Sequence, residues 1–341
     1  MSFTAVRLNA STYPPDPVER EELAKAGATV VEVELPQDNL PAVEACDALL
    51  VVSAYVRDDL LASLNNCRTI ARLGAGTDRV DIPAATQRGI VVSNVPDFCL
   101  GEQADHTMTL LLAFARQLPF MLQAMRQGNW MARGHAGVHR IAGQTLGLIG
   151  FGASAREVAR RAAGFGLRLL AWARNPAKHQ AAAIACGVEL VSIDQLLEQS
   201  DFVSLHLPLT SETHHFLSAD RLRQLKPTAV LINTSRGALV DEAALIELLR
   251  ARKIAGAALD VFETLDVFTT SGEVPKHPLL ELENVIATPH CAGSSVESTH
   301  ESKKRGARHA AQVLQGLWPD HVVNPEVQPR FALELRLASS K

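Results

Sequence analysis

Gly150-Phe151-Gly152-Ala153-Ser154-Ala155 is the stretch of this 341-residue chain whose residue types and spacing point most directly to chemistry. Gly150 permits a tight turn and Gly152 lets the backbone approach a pyrophosphate. Ala155 fills the third position of a G-x-G-x-x-G/A pattern. The N–H groups freed at the start of the segment after the turn favour an anion. The chemistry implied is dinucleotide binding, with Phe151, Ala153 and Ser154 part of the cradle. A binder of NAD usually carries an acid about 20 residues further on, where it accepts hydrogen bonds from the ribose hydroxyls. Here that place holds Ala173, then Arg174 and Asn175. Loss of the carboxylate removes repulsion against a 2′-phosphate, and a guanidinium can pair with that phosphate in a planar fork. The sequence therefore predicts NADP, with NAD as second choice. The alternative is that Arg174 is a solvated charge at a strand end.

Three further sites follow, each at the end of an apolar run: Leu205-His206-Leu207-Pro208-Leu209-Thr210, Ile232-Asn233-Thr234-Ser235-Arg236-Gly237 and Thr288-Pro289-His290-Cys291-Ala292-Gly293. In an open parallel sheet ligands sit beyond the carboxyl ends of the strands, so the three can converge on one crevice. Arg236 can grip a carboxylate through two parallel bonds, or it can be a structural ion pair. His290 can give or take a proton near neutral pH, or it can be a loop histidine satisfied by backbone. His206 reads as a packing residue beside the cofactor.

The elements that must position these residues alternate apolar runs with amphipathic segments throughout, which is an α/β pattern. The runs Ala5–Leu8, Thr29–Val33, Ala48–Ser53, Thr69–Leu73 and Ile90–Val95 are separated by helical segments at Pro17–Ala26, Asp58–Asn65 and Pro83–Arg88. A long helix is expected from about Gly101 to Arg126. Its stretch Met108–Phe114 is apolar nearly all round and should be buried, in a core or a dimer interface. The fingerprint then opens a strand–helix–strand unit, Thr145–Ile149 to Leu167–Ala173. Further strands are expected at Phe202–Leu207, Ala229–Asn233, Ile254–Leu259 and Val285–Thr288. The helix Glu297–Leu314 leads the chain back. Thr264–Lys276 reads as a loop.

Bulk properties narrow the function classes. The length suggests two domains, and 47% apolar residues supply their cores. A net charge of −4 gives no basic field for nucleic acid. No run approaches the ~18–20 apolar residues of a membrane span, and the first residues lack a signal-peptide pattern. The scattered cysteines 46, 67, 99, 186 and 291 favour a reducing, cytoplasmic setting over disulfides or a zinc site. No metal is expected.

Together these segments resemble the D-isomer-specific 2-hydroxyacid dehydrogenases, which include phosphoglycerate dehydrogenase, glyoxylate/hydroxypyruvate reductase and the C-terminal-binding-protein corepressors. The resemblance runs through Gly74–Asp81 (GAGTDRVD), Asn94–His106 (NVPDFCLGEQADH), the fingerprint, His206–Thr210, Asn233–Gly237, Leu259–Glu263 and Pro289–Gly293. It implies two doubly wound parallel-sheet domains: a Rossmann cofactor domain at 101–290 inserted into a flavodoxin-like substrate domain at 1–100 and 291–330. It implies that Arg236 binds the substrate carboxylate and ketone and that His290 is the acid/base. The backbone of Ala75 and Gly76 would hold the carboxylate, and Asp260 would lie beside the nicotinamide carboxamide. Leu207, Pro208, Thr213 and Thr234, with His290, would also line the cofactor. The expected protein is a cytoplasmic homodimer, paired through the 101–130 region, that reduces a small 2-keto acid.

One departure stands out. The family places a catalytic Glu five residues after the Asp of Asp-Val-Phe, where it orients the histidine and raises its pKa. Here that position is Leu265, which can do neither. Glu263 or Asp266 shifts into the role, Glu273 supplies it from an inserted loop, or nothing does. The last case leaves open a dinucleotide-sensing interaction protein of corepressor type with weak or no turnover. Formate or phosphite chemistry on the same frame is a third reading that no residue singles out. Tyr55 or Arg57 would read a distal substrate group unless Arg57 merely begins the next helix. Trp130, Arg133, His135 and His139 form a segment that, in a dimer, would reach the partner's site.

Overall fold

The computed structural model describes residues 2–131, 138–266, 268 and 275–334. The chain divides into two compact units, Met1–Phe98 with Ser295–Lys341, and Cys99–Ser294.

The first unit is a five-stranded parallel sheet built from β1 (Phe3–Arg7), β2 (Ala28–Glu32), β3 (Ala48–Val51), β4 (Thr69–Arg72) and β5 (Val91–Ser93), in the order β2-β1-β3-β4-β5. Its middle strand reads Ala-Leu-Leu-Val, buried at every position, as a parallel strand covered on both faces must be. The helix Pro17–Ala24 starts at an Asp16 capping box, and its Glu19 forms a buried ion pair with Arg7 at 2.7 Å. The helix Val296–Leu314, capped by Ser295, belongs to this unit. Its Ala307, Ala310 and Leu314 pack on Ala5, Ala48, Leu50, Ala71 and Leu73. Asn324 secures the segment that follows: its side chain accepts from Val92 N at 2.8 Å and donates to Ile90 O at 3.0 Å.

The second unit is a seven-stranded parallel sheet: β6 (Thr145–Ile149), β7 (Arg168–Trp172), β8 (Val188–Leu190), β9 (Phe202–Leu205), β10 (Val230–Asn233), β11 (Gly256–Leu259) and β12 (Val285–Ala287). The order is β12-β11-β10-β9-β6-β7-β8. The chain winds outward from β6 through β7 to β8, then returns to β9 on the other side of β6, so the winding direction reverses between β6 and β9. Alternation along the strands fills two cores. Leu146, Leu148, Val230 and Ile232 face the helices Leu100–Ala115 and Ala153–Ala163, while Ile149, Val203 and Leu231 face Ile193–Gln199 and Glu242–Arg250.

The expected single helix over 101–126 is two. Leu100–Ala115 and Leu118–Arg126 meet at a 60° bend, with Gln117 left-handed at φ 50°. Pro119 lacks the N–H that a continuous helix would need and disfavours helical geometry just before it. In the first helix Met108, Leu110 and Leu111 are buried, whereas Leu112, Ala113 and Phe114 are only partly covered. The second helix exposes Leu118, Phe120, Leu122 and Met125. Among the described helices no single one is long and apolar enough to cross a membrane. β8 has no counterpart in the sequence reading.

Candidate active site

The glycine turn follows β6. Gly150 has φ 94°, and a Cβ there would sit 2.4 Å from His206 O, so both conformation and space exclude a side chain. Gly152 is the N-cap of the Ala153–Ala163 helix, with no side chain capping the first turn and open space around a Cβ position. Uncapped N–H groups facing open space fit the pyrophosphate of a dinucleotide. His206, after β9, supports this turn from below. Its two ring nitrogens lie 3.0 Å from Ser154 Oγ and 2.9 Å from Ser204 Oγ. Burial pushes its pKa down to about 4, so it is neutral at pH 7. Phe151 is buried with its ring edge-on to His179. The next loop is tied by Thr213, whose hydroxyl donates to Pro208 O at 2.7 Å and accepts from Thr210 N at 2.8 Å. Leu207 lies against Gly150. Ala173 is buried at the end of β7, and Arg174 beside it pairs with Glu212 at 2.7 Å.

Arg236, Asp260 and His290 follow the ends of β10, β11 and β12, three neighbouring strands of one sheet edge. The Arg236 loop is fixed from several directions. Asn233 Nδ2 donates to Arg236 O at 2.8 Å, Asn233 Oδ1 accepts from Ser235 N at 3.0 Å, and Ser235 Oγ donates to Leu205 O at 2.7 Å. Arg236 Nη1 donates to Ser235 O at 2.7 Å. The Leu100–Ala115 helix holds Thr234 through Gln103 Nε2, which donates to Thr234 O at 2.9 Å, and through Thr107 Oγ1, 3.0 Å from Thr234 Oγ1. A Cβ on Gly237 would fall on the backbone of Phe262, so the loops after β10 and β11 touch without room for a side chain.

His290 takes a left-handed conformation, φ 55°. Its loop hangs on Asp260, which is fully buried. Oδ1 accepts from Thr288 Oγ1 at 2.5 Å and from Cys291 N at 2.9 Å, and Oδ2 accepts from Ala292 N at 2.8 Å. His106 Nε2 lies 3.0 Å from Thr288 Oγ1 and 3.6 Å from Asp260 Oδ1. Burial, with the carboxylate beside it, pushes the Cys291 thiol up. The Phe268 ring lies 4.7 Å from the His290 ring, centroid to centroid.

The carboxylates expected as candidates for the role of the missing Glu differ in their engagements. Glu263 Oε1 is 2.7 Å from His215 Nε2 and 3.5 Å from His214 Nε2. Asp266 Oδ1 accepts from Phe268 N at 3.1 Å, and the Phe268 ring is the one tilted against His290. Glu273 lies outside the described residues, as do Arg133 and His135. Glu242, which the sequence did not single out, staples the chain at this point. It accepts from Glu263 N at 2.8 Å and from Thr264 Oγ1 at 2.5 Å, and it lies 3.1 Å from His277 Nε2.

In the first unit the Ala75-Gly76 loop is pinned by Val95 N donating to Gly74 O at 3.0 Å and Asn94 Nδ2 donating to Ala75 O at 2.5 Å. Arg57 is the N-cap of the Asp58–Ser63 helix and also stacks over Tyr55 at 5.0 Å. Arg79 covers the same ring at 4.4 Å. In the second unit Trp130 is 72% exposed, and His139 is exposed.

The family model for the D-isomer specific 2-hydroxyacid dehydrogenase NAD binding domain matches residues 108–292. The chain belongs to that family. It is a hydroxyacid oxidoreductase with an NAD(P)-binding Rossmann unit. This dehydrogenase is 39% identical over 293 residues to the glyoxylate reductase of Korarchaeum cryptofilum (strain OPF8), covering 84% of this chain and 85% of that one. It is 36% identical to the D-3-phosphoglycerate dehydrogenase of Methanocaldococcus jannaschii. There the match takes in 91% of this chain but only 58% of the relative. Among solved structures, a glyoxylate reductase from Paecilomyes thermophila superposes with a TM-score of 0.82 at 29% identity, covering 96% of this chain and 99% of that one.

Proposed function

We propose that this dehydrogenase reduces a small 2-keto acid such as glyoxylate or hydroxypyruvate to the D-2-hydroxy acid, with NADPH preferred over NADH. The observation that carries the reading is the arrangement of Arg236, Asp260 and His290 beyond three neighbouring strands, with His290 and its loop fastened to a buried carboxylate. Arg236 binds the substrate carboxylate and polarises the ketone oxygen. His290 delivers a proton to that oxygen as it becomes a hydroxyl. Asp260 fixes where the imidazole sits, through the backbone on its C-terminal side. The nicotinamide, when bound, supplies the hydride to the 2-keto carbon. Gly150, Phe151, Gly152, Ala153 and Ser154 hold the pyrophosphate, and Leu207, Pro208, Thr213 and Thr234 line the rest of the cofactor's path. With Glu263 committed to His215, Asp266 is the carboxylate that replaces the missing Glu.

The NADP preference rests on Ala173 and Arg174. Units 1–98 with 295–341, and 99–294, serve as substrate and cofactor domains of a cytoplasmic enzyme. The apolar side chains exposed on Leu118–Arg126 support a homodimer through the 101–130 region. Initial rates with NADPH and NADH against glyoxylate, hydroxypyruvate, pyruvate and phenylpyruvate test this. Turnover with NADPH well above NADH is expected. Failure to reduce any 2-keto acid with either cofactor overturns the enzyme assignment. Nucleotide binding without turnover favours the sensing reading that Leu265 keeps open.

A further inference from the structure

Arg174 has a partner in the chain itself. Its Nη1 lies 2.7 Å from Glu212 Oε2, and both side chains are about two-thirds exposed, at 68% and 69%. The two residues come from opposite sides of β6. Arg174 lies two residues beyond β7, Glu212 lies in the loop after β9, and β6 runs between those strands and ends in the glycine turn. The loop that carries Glu212 is well anchored. Thr213 is tied to Pro208 and Thr210, and Phe216 packs on Trp172 at the end of β7 with ring centroids 4.8 Å apart. Glu212 is thus held where it meets Arg174 across the C-terminal edge of the sheet.

We propose that Glu212 is a specificity-determining residue that occupies Arg174 in place of the 2′-phosphate and is displaced when that phosphate arrives. The inference rests on the NADP reading given above. A carboxylate and a phosphate compete for the same planar guanidinium, and the phosphate wins because it brings more charge and three acceptor oxygens. NADH has nothing to exchange for the carboxylate, so it leaves the pair in place. Glu212 therefore sets how strongly Arg174 can favour NADPH, and it lowers NADPH affinity below what Arg174 alone would give. The pair is exposed and screened by water, so the effect is modest. Its size corresponds to about a two- to fivefold change in binding.

The experiment measures dissociation constants of NADPH and NADH by nucleotide fluorescence, and of adenosine 2′,5′-bisphosphate and 5′-AMP by calorimetry. The proteins are wild type, E212Q and R174A, with thermal melting as a control on folding. E212Q is expected to tighten NADPH and the bisphosphate about two- to fivefold. NADH and 5′-AMP should stay nearly unchanged, because no phosphate contests Arg174. The proposal is overturned if R174A weakens NADPH while E212Q leaves the NADPH/NADH ratio where it was, or weakens both nucleotides together. If R174A leaves NADPH affinity unchanged, the NADP reading itself has failed and the proposal falls with it.

Discussion

The two ends of the same sheet edge are built in opposite ways. At the β10–β12 end, Asp260 is fully buried and spends both oxygens on the loop that carries His290. The Arg236 loop beside it is held by Asn233, Ser235, Gln103 and Thr107. At the β7 end, Arg174, which the proposed function places at the ribose, is held by one exposed ion pair. The difference follows from what each end must do. Proton delivery depends on placement to within a fraction of an ångström, because misplacement by about 1 Å can cost 10²-fold. Choosing between two cofactors needs only a few kcal/mol and tolerates a flexible guanidinium. Under the proposed function, chemistry belongs to the buried, multiply bonded end and selectivity to the solvated one.

The contrast can be broken most severely at His290. His290→Ala should lower kcat by roughly 10²–10⁴, the usual contribution of general acid help, while NADPH affinity measured by fluorescence stays near wild type. Equal turnover would remove His290 from the mechanism. Asp260→Asn is next. The amide replaces one acceptor oxygen with a donor, so a loop N–H or the Thr288 hydroxyl loses its partner and His290 shifts. Turnover should fall on the order of 10²-fold, with a lower melting temperature. An unchanged kcat would mean that the buried carboxylate does not position the loop.

His206 lies between the two ends and tests the core beneath the glycine turn. The unfolded chain takes up a proton near pH 6.5, whereas the folded chain refuses it until about pH 4. Its contribution is therefore complete above pH 6.5 and is lost as the pH falls through that window, about 2 kcal/mol by pH 5. His309, in the other unit, is pushed down to about 4 by burial and adds to the same slope. Denaturant unfolding at pH 7 and pH 5 should show this loss, and a flat profile would contradict the burial of both rings. The smallest effects belong to the exposed end. Ala173→Asp should move the NADPH/NADH ratio of kcat/KM toward NADH by about tenfold, equivalent to ~1.4 kcal/mol, while E212Q moves binding the other way by less. Were Ala173→Asp to cost turnover with both cofactors equally, the separation of chemistry from selectivity would not hold.

The parts legible in the sequence were those with a local signature. The glycine turn announces itself because Gly150 must adopt a positive φ between a strand and a helix. The strands of both sheets read as apolar runs because parallel strands are covered on two faces. β8 escaped because three residues, Val188–Leu190, carry no periodicity. The bend at Gln117 was readable from Pro119, but the apolar pattern on both sides of it read as one helix. The network around the site was not readable at all. Gln103 and Thr234 are 131 residues apart, Glu242 and His277 are 35 apart, and nothing in either local segment names its partner. Glu212 was hidden for the same reason, since it meets Arg174 only because β7 and β9 flank β6.

The placement of the Val296–Leu314 helix also matters during synthesis. The second unit is one continuous stretch and can close as soon as it leaves the ribosome. The first unit cannot, because the helix that covers Ala5, Ala48, Leu50, Ala71 and Leu73 is made more than 200 residues after β5. At the usual pace of translation that gap lasts roughly 10–40 s. During it, the apolar face of the five-stranded sheet is covered by the Pro17–Ala24 helix through Leu23 but lacks Ala307, Ala310 and Leu314, so the first part of the chain to be made is the last to be fully sheltered from aggregation.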